Sequence, residues 1–156
     1  EEIAGICGLD LIQLHGGETP DYCRRFPPSR VIKALSPRTA DDLKRAGDYP
    51  VRAILVDASA PGLYGGTGKT SNWELARSIG EKYPLILSGG LNSGNIVEAI
   101  ASVSPGAVDI NSGVESAPGR KDHDKVREII EIIRRHDRDG GGEGTTIFGN
   151  EDKTIR

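Results

Sequence analysis

The sequence predicts an α/β fold, and within that class a partial (β/α)8 TIM barrel: five βα units, with the three N-terminal units missing. Three observations lead there. Short apolar segments rich in β-branched residues alternate with helical patterns five times, the signature of a parallel sheet with right-handed crossovers. Every strand carries polar residues at or near its C-terminal end: Gln13 and His15, Ser36, Asp57, Ser88, then Asp109 and Asn111. Side chains gathered at one edge from all strands suit a barrel mouth better than the single switch-point crevice of a doubly wound sheet. The chain's 156 residues are too few to close such a barrel, which takes at least roughly 200.

The elements follow in order. Glu1 to Gly8 reads as the last turns of a helix, with Ile3, Ala4 and Cys7 on one face and Gly8 as its stop. Strands are expected at Asp10–Leu14, Val31–Leu35, Ala53–Asp57, Leu85–Ser88 and Ala107–Asn111. Helices are expected at Thr19–Phe26, Arg38–Ala46, Trp73–Lys82 (capped by Asn72), Ser93–Val103 and His123–Arg135. Successive strands start 21, 22, 32 and 22 residues apart, so the extra length falls in the loop between Asp57 and Trp73. Residues 1–136 therefore form the C-terminal portion of a barrel domain, and the charged, glycine-rich 137–156 a flexible tail.

Composition narrows the function. Twenty basic against 23 acidic residues give a net charge of −3 with no basic stripe, and aromatics make up only 4%, which argues against nucleic acid. No apolar run reaches transmembrane length and no signal peptide opens the chain, so no membrane partner is expected. Cys7 and Cys23 have neither metal-ligand spacing nor a disulfide framework; a reducing cytoplasm fits them. A first residue of Glu1 rather than Met points to a processed or incomplete polypeptide.

Two loops have the composition of an anion grip. Ser88-Gly89-Gly90-Leu91-Asn92 follows one strand and leads into a helix; Asn111-Ser112-Gly113-Val114-Glu115 follows the next. Glycines let backbone N–H groups approach a phosphate, and a helix N-terminus adds partial positive charge. Either loop alone reads as a tight turn, whereas both on consecutive strands match the phosphate site after a barrel's last two strands. Gly65-Gly66-Thr67-Gly68-Lys69-Thr70 imitates a nucleotide-binding P-loop, but Leu63 stands where the motif needs its first glycine. Asp57, ending an apolar strand ahead of a long glycine loop, is a candidate general acid or base. Lys69 reads equally as a solvated lysine or an anion contact, and His15 as a mouth-lining histidine. Lys33 is expected in the barrel interior or at an ion pair, Trp73 and Cys7 in packing, and Glu18, Asp41 and Asp42 on solvated faces.

With LDLIQLHGGE, VIKAL, ILVD followed by YGGTGKTSNW, LILSGGLNSGNI and VDINSGVESAPGRKD in this order and spacing, the chain resembles phosphoribosylanthranilate isomerase, the (β/α)8 enzyme of tryptophan biosynthesis, from about Gly8 to Arg135. The match is to that family's fourth to eighth βα units. The resemblance implies an Amadori rearrangement that opens the ribose ring of N-(5-phosphoribosyl)anthranilate, with a small phosphoribosyl substrate, no cofactor and no metal. It implies Asp57 as the general acid on the ring oxygen, Gly89, Gly90, Ser112 and Gly113 as the phosphate grip, and Asp109 as a substrate-facing polar residue. The family's base, a cysteine in a Lys-Ile-Cys-Gly motif on the first strand, has no counterpart. Gly5-Ile6-Cys7-Gly8 precedes the fourth unit and lacks the lysine. The second unit's substrate-binding arginine is likewise without a counterpart.

The expectation is thus an isomerase that lacks its base and is inactive as this fragment. Its open edges would be met by the missing N-terminal half or by a second copy. Two alternatives are another phosphate-binding barrel enzyme of the same pathway, against which the Tyr64–Trp73 loop argues, and a non-catalytic phosphate-binding half-barrel.

Overall fold

The computed structural model describes residues 2–58, 71–141 and 147. Helix α1 (Glu2–Ile6) leads to strand β1 (Ile12–Leu14) and helix α2 (Pro20–Cys23); then come β2 (Val31–Leu35), α3 (Ala40–Ala46) and β3 (Ala53–Asp57). After them come α4 (Ser71–Gly80), β4 (Leu85–Ser88), α5 (Ile96–Val103) and β5 (Ala107–Val108). A short hairpin of β6 (Glu115–Ala117) and β7 (Arg120–Lys121) precedes the last helix, α6 (His123–His136).

Strands β1 to β5 form one sheet, every pair parallel, in the order of the sequence. The order never reverses, so among the described residues there is no switch point of the doubly wound kind. Among the described residues, strands β1 and β5 each pair on one side only.

Strand alternation divides the core in two. Ile54, Val56, Leu85 and Leu87 face the helices and pack with Ala76, Ile79, Ile96, Ala99, Val103 and Ile129. Ile32, Ala34, Ala53, Leu55 and Ile86 form the opposite, inner face. Ile147, far along the chain, packs on that inner face at 5% exposure. Its carbonyl accepts from Arg52 Nε at 3.1 Å and Nη2 at 2.9 Å. Arg52 precedes β3, so this contact lies at the N-terminal edge of the sheet. Of the tail expected at 137–156, Asp137–Gly141 follow α6 as a helical turn kinked at Gly140, whose φ is 92°, and residues 142–146 and 148–156 lie outside the described residues.

Local chemistry explains the helix starts. Thr39 and Asp42 form a capping box on α3, and the Asp122 carboxylate accepts from the N–H groups of Asp124 and Lys125 at the start of α6. Asp42 therefore belongs to a cap, not to a merely solvated face, and its carboxyl is held below the ordinary range by the Arg38 and Thr39 N–H groups.

Several bounds differ from expectation. Helix α4 begins at Ser71, two residues before the expected start. Helix α5 begins at Ile96, because Asn92 and its neighbours close a turn first. Strand β5 is only two residues long, although the Asp109 N–H just beyond it still bonds across to Leu87 O. The β6–β7 hairpin was not anticipated; its strands are too short to show alternation. Cys7 is exposed and Cys23 is the buried one, because α1 turns Ala4 rather than Ile3 or Cys7 toward the protein. No described helix is long and apolar enough to cross a membrane.

Candidate active site

The sheet register sets the site. Ala34, Leu55, Ile86 and Ala107 are Cα partners across four strands and share the inner face. Two residues further on, Asp57 and Ser88 are partners, and continuing the register brings Ser36 beside Asp57 and Asp109 beside Ser88. The Asp109 N–H donates to Leu87 O at 2.8 Å and the Ala58 N–H to Ser88 O at 2.9 Å, so the ladder holds past the strand ends. Alternation puts all four of these side chains on the inner face, one layer above Ala34, Leu55, Ile86 and Ala107. The same parity puts Gln13 and His15 of the first strand on that face.

The glycine loops meet at this edge. Gly89 and Gly90 follow β4 with φ of 94° and 66°, a region that L side chains rarely adopt. The loop is then fastened by amides: Asn92 Nδ2 and Asn95 Nδ2 donate to Gly90 O at 3.1 and 3.0 Å, and the Asn92 N–H donates to Asn95 Oδ1 at 2.9 Å. The neighbouring loop makes a 3-10 turn at Ser112–Val114. A Cβ on Gly113 would lie 1.8 Å from Leu91 O, so the two loops touch, backbone to backbone, at Gly113. Four of the five expected phosphate or substrate residues thereby fall on two contacting loops, and Asp109 directly follows β5, the strand that leads into the second. Lys69 and the P-loop-like segment lie outside the described residues.

Two lysines hold loops at the mouth. Lys121 Nζ donates to Asn111 O at 2.9 Å, to Asn111 Oδ1, and to Glu115 Oε1 at 2.9 Å. Lys125 Nζ adds a bond to Glu115 O at 2.8 Å. Lys121 holds the Glu115 carboxyl below its ordinary range. Lys33, on β2, is 1% exposed and pairs with Glu18 at 3.0 Å. Of the two places expected for Lys33, the ion pair is the one found, on the face away from Ile32 and Ala34. Glu18, expected on a solvated face, is its partner. The signal for that pairing was present in the sequence as a lysine inside an apolar strand, which requires a nearby acceptor. Lys121 carried no such signal, because its partners are assembled by the unforeseen hairpin. Among the described residues there is no His, Cys, Asp and Glu cluster that could hold a metal.

Comparison with known proteins gives this geometry a context. A family profile for N-(5'phosphoribosyl)anthranilate (PRA) isomerase matches residues 1–132. The N-(5'-phosphoribosyl)anthranilate isomerase of Syntrophus aciditrophicus is 58% identical over 136 residues, 87% of this chain and 59% of the relative. That of Trichlorobacter lovleyi is 52% identical over 130 residues, 83% and 63% of the two chains. The crystal structure of the isomerase from Thermotoga maritima superposes with a TM-score of 0.73 at 39% identity, covering 86% of this chain and 66% of that one. The chain thus spans about three-fifths of the length of the curated relatives it matches. Its parallel α/β sheet is similar to that of the isomerases' solved structures. By sequence and by fold, the chain belongs to the N-(5'-phosphoribosyl)anthranilate isomerase family.

Proposed function

We propose that this chain carries the acid and phosphate-binding parts of a site that isomerises N-(5-phosphoribosyl)anthranilate in tryptophan biosynthesis. The observation that carries the reading is the single row Ser36, Asp57, Ser88, Asp109 on the inner face, beside two glycine loops that touch at Gly113. Support also comes from a related phosphoribosyl anthranilate isomerase, whose structure holds reduced 1-(o-carboxyphenylamino)-1-deoxyribulose 5-phosphate. It is 34% identical to this chain.

On this reading the N–H groups of Gly89, Gly90, Ser112 and Gly113 hold the phosphate. Asp57 gives its proton to the ribose ring oxygen as the bond from that oxygen to C1 breaks, leaving an iminium ion. A base then takes the proton from C2, and the resulting enamine becomes the ketone. Asp109, next to Ser88 in the row, contacts the sugar. Cys7 is not that base. It sits just ahead of β1, near Leu9 and Asp10, whose carbonyls accept from Arg30 before β2. That is the N-terminal edge of the sheet, opposite to Asp57. The five units correspond to the fourth to eighth of the family's barrel, and the base comes from outside them.

Amide-shift mapping with inorganic phosphate tests the binding part. Perturbations centred on Gly89, Gly90, Ser112 and Gly113 are expected; changes confined to the Glu18 or Asp41 region would place the site elsewhere.

A further inference from the structure

The buried lysine on β2 has a task that the proposed chemistry does not use. Its ammonium spends all its bonds on one short segment: Leu14 O at 3.3 Å, Gly16 O at 2.8 Å and Glu18 Oε2 at 3.0 Å. The segment is folded on itself as well. The Gly16 N–H donates to Glu18 Oε2 at 2.8 Å, and a Cβ on Gly16 would come within 2.9 Å of Glu18 Oε1. From the stretch leading to β3, the Tyr49 hydroxyl donates to Glu18 O at 3.3 Å, and its ring lies 5.8 Å from the ammonium.

Stability alone does not call for this arrangement. Taking an ammonium out of water is costly, and a buried ion pair replaced by packed apolar groups is often no less stable. The neighbours of Lys33 on that face, Val31 and Leu35, are apolar. What the lysine adds is geometry. The two carbonyls it grips, Leu14 O and Gly16 O, flank His15, so the backbone on both sides of that exposed histidine is fixed. His15 in turn stands on the inner-face side of the strand end, at the far end of the mouth from the glycine loops.

We propose that Lys33 is a positioning residue: it locks the Leu14–Glu18 turn in one conformation and so sets where His15 stands at the mouth. The role rests on the reading of that mouth as the phosphoribosyl site. Lys33 itself, on the opposite face of β2, does not touch the substrate.

The test uses the whole chain with Lys33→Met, which keeps an unbranched side chain one atom shorter and removes the charge, and Glu18→Gln, which removes only one acceptor's charge. Hydrogen exchange of the amides from His15 to Glu18 should accelerate at least about tenfold in Lys33→Met, the equivalent of roughly 1.4 kcal/mol of local opening. It should accelerate less in Glu18→Gln, and amides of β3 and β4 should keep their protection. Affinity for reduced 1-(o-carboxyphenylamino)-1-deoxyribulose 5-phosphate should fall in Lys33→Met, while inorganic phosphate, held by the loops after β4 and β5, should bind as before.

Unchanged exchange from His15 to Glu18, or equal acceleration throughout the sheet, would overturn the proposal, as would unaltered affinity for the analogue. If Lys33→Met does not fold, Glu18→Gln decides by the same exchange measurement. A parent protein that binds neither phosphate nor analogue refutes the functional reading instead, and the exchange result still judges the lock.

Discussion

Replacing Gly113 by alanine puts one methyl group where the two glycine loops touch. Its Cβ would stand 1.8 Å from Leu91 O and 2.9 Å from Leu91 C. Ordinary contact begins at 3.4 Å, so the loops must part by about 1.6 Å, and the obstruction is backbone that cannot swing aside. Overpacking of this kind costs about 1–3 kcal/mol, a drop of roughly 3–10 °C in midpoint for a domain of this size. The effect on the anion should be larger. A donor at hydrogen-bonding distance that moves by such a length no longer bonds, and each charge-assisted bond lost is worth about 1.5–3 kcal/mol, or roughly 10- to 150-fold in affinity. Ser112→Ala leaves every backbone donor in place and should stay within about threefold of the parent. Calorimetric titration with inorganic phosphate or the reduced product analogue, alongside thermal melts, measures both effects. Gly113→Ala binding phosphate as tightly as the parent, or less disrupted than Ser112→Ala, would refute the assignment of these backbone groups as the grip.

Three further outcomes are expected. In the complete isomerase, with its base present, Asp57→Asn should lower kcat by about two to four decades with little change in KM, as the proposed role of general acid requires; steady-state assay of N-(5-phosphoribosyl)anthranilate turnover checks this, and near-normal kcat removes Asp57 from the mechanism. The Lys33 hydrogen bond holds the Glu18 carboxyl below its usual value of 4.5, so the pair's stabilisation is complete above that value and lost as pH falls through the lowered one. Melts at pH 7 and pH 3 should therefore differ more for the parent than for Glu18→Gln, and equal differences would deny the coupling. Ile147→Asp puts a carboxylate among Ile32, Ala34, Ala53, Leu55 and Ile86 and should cost about 2 kcal/mol or more, seen as a lower melting midpoint with increased binding of a hydrophobic dye; an unchanged midpoint would show that the contact contributes nothing.

The sequence by itself determined the fold class and most of the element positions. Val31–Leu35, Ala53–Asp57 and Leu85–Ser88 are strands with the bounds their apolar runs imply, because a central parallel strand is buried on both faces and reads as a near-continuous apolar run, interrupted here by Lys33 within β2 and by Asp57 and Ser88 at the strand ends. The family was legible too, in glycines and polar strand ends whose spacing reflects close backbone approach. Tertiary structure decided the rest. Which side of β2 carries Lys33 depends on parity within the sheet, and its partner Glu18 lies 15 residues away, across a turn that folds only once β1 and β2 pair. Cys7 and Cys23 look alike as isolated residues; only the packing of α1 and α2 exposes one and buries the other. The bond from Arg52 to Ile147 spans 95 residues of sequence, and no local pattern announces it. Local propensity fixes strands and helix starts, whereas ion pairs, loop contacts and the covering of the inner face arise when distant segments are brought together.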